Sequence, residues 1–151
     1  MMSRLRGATI LLCLVSLCAA GSAQALDYAS VGDASAILYD APSNKARKLF
    51  VVSRYTPLDM VVSLKDWVKV RDGSGTLAWI ARSALSSKRY VMVTAAQTDM
   101  RQQPDRSSAL LLRVGQSVAL EWQGDTGVGW IKVRYQDGTV GYVKAAEVWG
   151  D

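Results

Sequence analysis

Two short stretches of the chain carry the same side chains at the same spacing: Trp67, Lys69 and Arg71 in the first, Trp130, Lys132 and Arg134 in the second. An indole beside ammonium and guanidinium groups makes no covalent bonds. It is a recognition set, in which the ring packs on the apolar part of a ligand and the cations receive carboxylates. Successive residues of a strand point to opposite faces, so Trp67, Lys69 and Arg71 share one face while Val68 and Val70 share the other. The same parity sets Trp130, Lys132 and Arg134 against Val133. The valine side is the expected core, which leaves the tryptophan side for a ligand or for solvent. A plainer role is also open to the four cations, as cross-strand charge on an exposed face.

The residue inventory argues against catalysis. Beyond residue 25 the chain has neither Cys nor His, so a zinc site has no ligands of the usual kind and a serine nucleophile has no histidine base. No Gly-x-Ser-x-Gly elbow is present, and most carboxylates stand in turns, where Asp is favoured for local hydrogen bonds. The expectation is a protein with no catalytic residues, no metal and no cofactor.

Both cysteines, Cys13 and Cys18, fall in a segment of a different kind. Arg4 and Arg6 precede the apolar run from Ala8 to Leu17, and Ala23-Gln24-Ala25 supplies the small residues of a cleavage site. This reads as a secretory signal over residues 1–25, cut after Ala25. A membrane anchor needs about 20 apolar residues, roughly twice this run. Lipid attachment at Cys18 is the alternative, and it is opposed by Leu17, which stands where a small residue belongs. Subtracting Arg4 and Arg6 from the 18 basic residues leaves 16 against 13 acidic, or +3. So weak and interspersed a charge, on an exported chain, disfavours nucleic acid as a partner. The expected location is periplasmic or secreted, with no membrane span in the mature chain.

The elements that position the two recognition sets are themselves duplicated. Tyr28-Ala29-Ser30-Val31 is matched by Tyr90-Val91-Met92-Val93, Ala41-Pro42-Ser43 by Gln103-Pro104-Asp105, and Lys48 to Val52 by Leu110 to Val114. Leu58 to Val62 is laid against Val118 to Trp122, with extra residues assigned to the first copy near Arg54-Tyr55. Each recognition strand then continues through a Gly-containing turn into a second strand, as in a β-hairpin. About five short strands per copy and turn residues every 8 to 12 positions predict two small all-β units, at 26–86 and 87–151. The junction Ser86-Ser87-Lys88-Arg89 is too short for a free linker, so the units are expected to touch.

In this order the motifs Pro turn, Gly-Trp-x-x-Val-Arg and Asp-Gly-x-x-Gly-Tyr-Val resemble the bacterial SH3-like (SH3b) family. The second copy matches through Pro104, Gly129, Trp130, Lys132, Val133, Arg134, Asp137, Gly138, Gly141 and Tyr142. The first departs from the pattern at Asp66 and Ala78. The resemblance implies two tandem SH3-like β-barrels and a binding role toward peptidoglycan or an exported envelope protein. It also implies that Trp67 and Trp130 stand where eukaryotic SH3 domains hold a ligand-stacking aromatic. The other half of their proline-rich groove is absent: where its Pro and Tyr are expected stand Ala81 and Ala84 in the first copy, Lys144 and Glu147 in the second.

The aromatic residues have two readings. Trp79 and Tyr142 cap the barrels, fill the contact between units, or in the case of Tyr142 join the ligand face. The candidate binding set is therefore Trp67, Arg71, Trp130, Lys132, Arg134 and Tyr142. Three functions are weighed: a binding module, a scaffold subunit whose aromatic surface meets a partner or a second copy, and, last, an enzyme. Oligomeric state is not legible in the sequence.

Overall fold

The computed structural model describes residues 27–151, and these form the expected all-β tandem. The signal expected over residues 1–25, with Cys13 and Cys18, lies outside the described residues. In the first copy the chain forms β1 (Tyr28–Val31), β2 (Ala36–Tyr39), β3 (Lys48–Val52), β4 (Pro57–Ser63), β5 (Trp67–Arg71) and β6 (Leu77–Ala81). A 3-10 turn at Arg82–Ala84 then leads to β7 (Leu85–Ser86). The second copy repeats this as β8 (Tyr90–Val93), β9 (Gln97–Arg101), β10 (Leu110–Gly115), β11 (Ala119–Asp125), β12 (Trp130–Arg134) and β13 (Val140–Lys144). It ends with a turn at Ala145–Glu147 and β14 (Val148–Trp149). The sheet orders correspond strand for strand, β3-β2-β6-β5-β4-β1-β7 and β10-β9-β13-β12-β11-β8-β14.

Seven strands per copy replace the expected five. The strands β7 and β14 are two residues long, too short to show any alternation. In β9 the inward residues are Thr98 and Met100, so the strand has little hydrophobic signature. Each copy has its own core. Val68 and Val70 are fully buried in the first, with Leu38, Leu58 and Ile80. Ile131 and Val133 are fully buried in the second, with Leu120 and Val143. The period-2 parity of the recognition strands therefore holds, and Trp67 and Trp130 face away from the cores, half-buried.

The pairing of the fourth strands is corrected. Asp59 pairs with Tyr28 and Arg71, and Glu121 pairs with Tyr90 and Arg134, so Leu58 corresponds to Leu120 rather than to Val118. No extra residues lie near Arg54-Tyr55. Tyr55 (φ 65°) and Ser117 (φ 63°) are the same left-handed corner in the two copies, each donating its N–H to the last residue of the first strand. The length difference falls wholly in the loop before the tryptophan. There Gly129 takes φ 82°, a conformation that favours glycine, whereas Asp66 in the shorter loop is not left-handed. That is why the first copy tolerates an aspartate.

Gly141 is required for a different reason. A Cβ there would come within 2.7 Å of the Arg101 carbonyl oxygen and 2.9 Å of Leu111 and Met100. Ala78 fills the corresponding buried place in the first copy.

The two copies dock through aromatic and cationic groups. The Tyr55 and Tyr90 rings stack at 4.4 Å and 19°, and Tyr28 meets the Trp149 ring edge-on at 5.3 Å. The Arg89 guanidinium lies 4.3 Å from the Trp122 ring centre and 5.9 Å from that of Tyr28, and its Nη2 donates to the Gly150 carbonyl at 3.0 Å. The Tyr90 N–H donates to Ser30 Oγ across the junction. Trp149, with Tyr28, Tyr55 and Tyr90, fills the contact between units, in place of the Trp79 and Tyr142 expected there.

Candidate functional site

Trp130 opens β12 directly across from Lys144, the last residue of β13. Behind them the turn at Ala145–Glu147 brings Glu147 back, so that Lys144 Nζ reaches Glu147 Oε1 at 3.0 Å while the buried Thr98 hydroxyl donates to Oε2. Burial works against ionisation of Glu147, but the Thr98 and Lys144 contacts outweigh it and hold the carboxyl below its usual range. On the far side Arg101 pairs with Asp99 at 2.7 Å and donates from Nη1 to the Ser108 carbonyl. The result is a depression of about 310 Å³ lined by Trp130, Lys144, Glu147, Asp99, Arg101 and Arg106, with Gln97 at its edge. Three cations face two carboxylates there. Arg106 forms no ion pair among the described residues. Such a site can hold a ligand that carries both an apolar face and a carboxylate.

The first copy has no such arrangement. Ile37 replaces Asp99, Tyr39 replaces Arg101, and Ala81 and Ala84 replace Lys144 and Glu147. Tyr39 stands edge-on to Trp67, with ring centres 5.4 Å apart at 89°. The indole that was a candidate ligand anchor is already in contact with its own barrel.

The other candidates are dispersed. Arg71 reaches the buried Asp59 at 3.7 Å. Lys132 and Tyr142 are cross-strand partners on the face that carries Trp130, and Tyr142 also pairs with Arg101. Arg134 lies at the other end of β12 and lines a separate cavity between the copies. The strand parity places all of them on the tryptophan side, but a five-residue strand is about 13 Å long end to end, so its two ends serve different surfaces. Among the described residues no three His, Cys, Asp or Glu side chains converge where they could hold a metal ion.

Sequence reasoning missed Asp99, Arg101 and Arg106 altogether. A usable signal was present: Asp99, Arg101, Lys144 and Glu147 stand where the first copy has Ile37, Tyr39, Ala81 and Ala84, and Arg106 where it has Asn44.

The model of the bacterial SH3 domain family matches residues 32–87 and again 95–150. The chain belongs to the bacterial SH3 domain family. Both matches begin just after the first strand of a copy and end just after its last, so the matched unit recurs with the repeat already described. Solved structures similar to this tandem of bacterial SH3 domains include NlpC1 and NlpC2 from Trichomonas vaginalis. They are 15% and 14% identical, with TM-scores of 0.39, over 91% and 84% of this chain. An NlpC/P60 family protein from Bacillus cereus is 14% identical over 81% of this chain, with a TM-score of 0.37. The chain spans about half the length of each of them. None of the curated proteins compared matches the sequence significantly. No helix among the described residues is long and apolar enough to cross a membrane.

Proposed function

We propose that the chain is an exported, non-catalytic binding protein. In this reading a signal over residues 1–25 is removed, and units at 26–86 and 87–151 remain. The second unit holds a peptide-bearing envelope ligand, peptidoglycan foremost, in the depression at Trp130. One observation carries the reading: the same tryptophan meets the Tyr39 ring edge-on in the first copy and lines a charged depression in the second. Duplication with one indole against an aromatic neighbour and the other among charged groups fits a division of labour between packing and binding. Trp130 is the apolar anchor, Lys144, Arg101 and Arg106 receive carboxylates, and Lys132 and Tyr142 form the border. Trp67 and Arg71 serve the first barrel itself.

A scaffold role is the second reading, and it is favoured by Leu49, Phe50 and Val51, which stand exposed on the edge strand β3. Purified sacculi separate the two. Sedimentation of the mature chain with sacculi supports the binding reading. Failure to sediment, together with recovery of one crosslinked envelope protein from intact cells, supports the scaffold.

A further inference from the structure

The second cavity lies where the two copies meet, and its lining comes from both. It measures about 490 Å³, a volume within the range of small-ligand sites. Arg54 and Tyr55 contribute from the first copy, and Tyr90, Met92, Glu121 and Arg134 from the second. Its chemistry follows from comparing the copies at one register position. In the first, Asp59 pairs across the sheet with Arg71, and the two close an ion pair at 3.7 Å with Asp59 buried. In the second, Glu121 pairs across the sheet with Arg134, yet no ion pair forms between them. Glu121 instead accepts from Gln123 Nε2 at 2.9 Å, which leaves the Arg134 guanidinium facing the cavity without a carboxylate.

Arg54 reaches the same cavity from the other copy. Its guanidinium sits 5.3 Å from the centre of the Tyr55 ring, a contact that steadies the side chain without neutralising it, and it too lacks an ion-pair partner among the described residues. Burial, with Glu121 and Tyr55 beside it, pushes the Tyr90 hydroxyl up from its ordinary value, and the phenol is a donor. Two unpaired guanidinium groups and a phenol thus converge on a concavity that also exposes the apolar Met92. Among the described residues the only carboxylate lining it, Glu121, already accepts from a neighbouring amide. Guanidinium forks match carboxylates better than any other common group in an exported peptide.

We infer that the junction between the two copies is a second binding site, selective for an acidic peptide segment whose carboxylates pair with Arg54 and Arg134. The site exists only when the copies are docked, because each supplies one of the two cations. It is independent of the depression at Trp130, which lies at the opposite end of β12.

The probe is the N-acetylated, amidated peptide Glu-Ala-Glu-Ala, titrated into the 15N-labelled mature chain and followed by amide chemical shifts. Saturable shifts centred on Tyr55, Tyr90 and Arg134 are expected, with Gln-Ala-Gln-Ala producing none. Arg134→Gln and Arg54→Gln should each weaken the interaction about tenfold, while Trp130→Ala leaves it unchanged. Shifts confined to the Trp130 depression, equal response to the glutamine peptide, or unaltered affinity in the doubly substituted chain would each overturn the proposal. Because the sacculus test depends on Trp130 and this one does not, the two can fail separately.

Discussion

Tyr39 covers Trp67 edge-on in the first barrel, and Arg101 occupies the position of Tyr39 in the second, where the corresponding tryptophan lines an open depression. Both indoles are half-buried, so the replacements at this corner change the tryptophan's neighbours, an aromatic edge in the first copy and charged side chains in the second. Edge-on aromatic pairs contribute about 1 kcal/mol beyond their buried area. Tyr39→Ala should destabilise the first barrel by about 2 kcal/mol in urea unfolding and leave sacculus binding unaltered.

Val133 is fully buried on the strand that carries Trp130. Val133→Asp places a carboxylate in the second core without a partner, a cost of several kcal/mol against a total stability of order 5 kcal/mol. The amide resonances of residues 90–149 should lose their dispersion. A variant that melts like the parent would refute the strand parity on which the site rests.

The period-2 alternation of a recognition strand states which side is core, and it states this in both copies, so the fold was legible in the sequence. The junction was not. Each aromatic contact between the tandem copies has one partner where the repeat is broken: Trp149 stands against Ser86 and Tyr55 against Ser117 in the aligned copies. An alignment that hunts for likeness passes over such positions. The depression at Trp130 was half legible for a related reason. Lys144 and Glu147 appear in the sequence as the loss of a proline groove, and only their 3.0 Å contact beside Trp130 turns them into a polar site.

Glu147 makes the second copy sensitive to acid. Its folded carboxyl titrates below the usual range, so between the folded and unfolded values the unfolded chain binds more protons and stability rises with pH. The contribution is complete above the unfolded value of about 4.3 and fades as pH falls through the folded one. Melting temperatures taken downward from pH 7 should fall more steeply below about pH 4.3 in the parent than in Glu147→Gln.

Trp149 joins the copies through Tyr28 and lies over Gly73, where a Cβ would be 3.5 Å from its ring. Trp149→Ala should uncouple them. Calorimetry is expected to replace one cooperative unfolding transition with two, the separation expected when docked units lose their shared surface.

The central claim is that Trp130 binds and Trp67 packs. It is tested most directly by sedimenting purified sacculi with the mature chain and with Trp130→Ala, after circular dichroism has established that the variant is folded. Loss of an aromatic anchor of this kind costs about 2 kcal/mol, so the variant should bind roughly thirtyfold more weakly. Binding equal to the parent's in a folded Trp130→Ala chain, or collapse of its fold, would contradict the account.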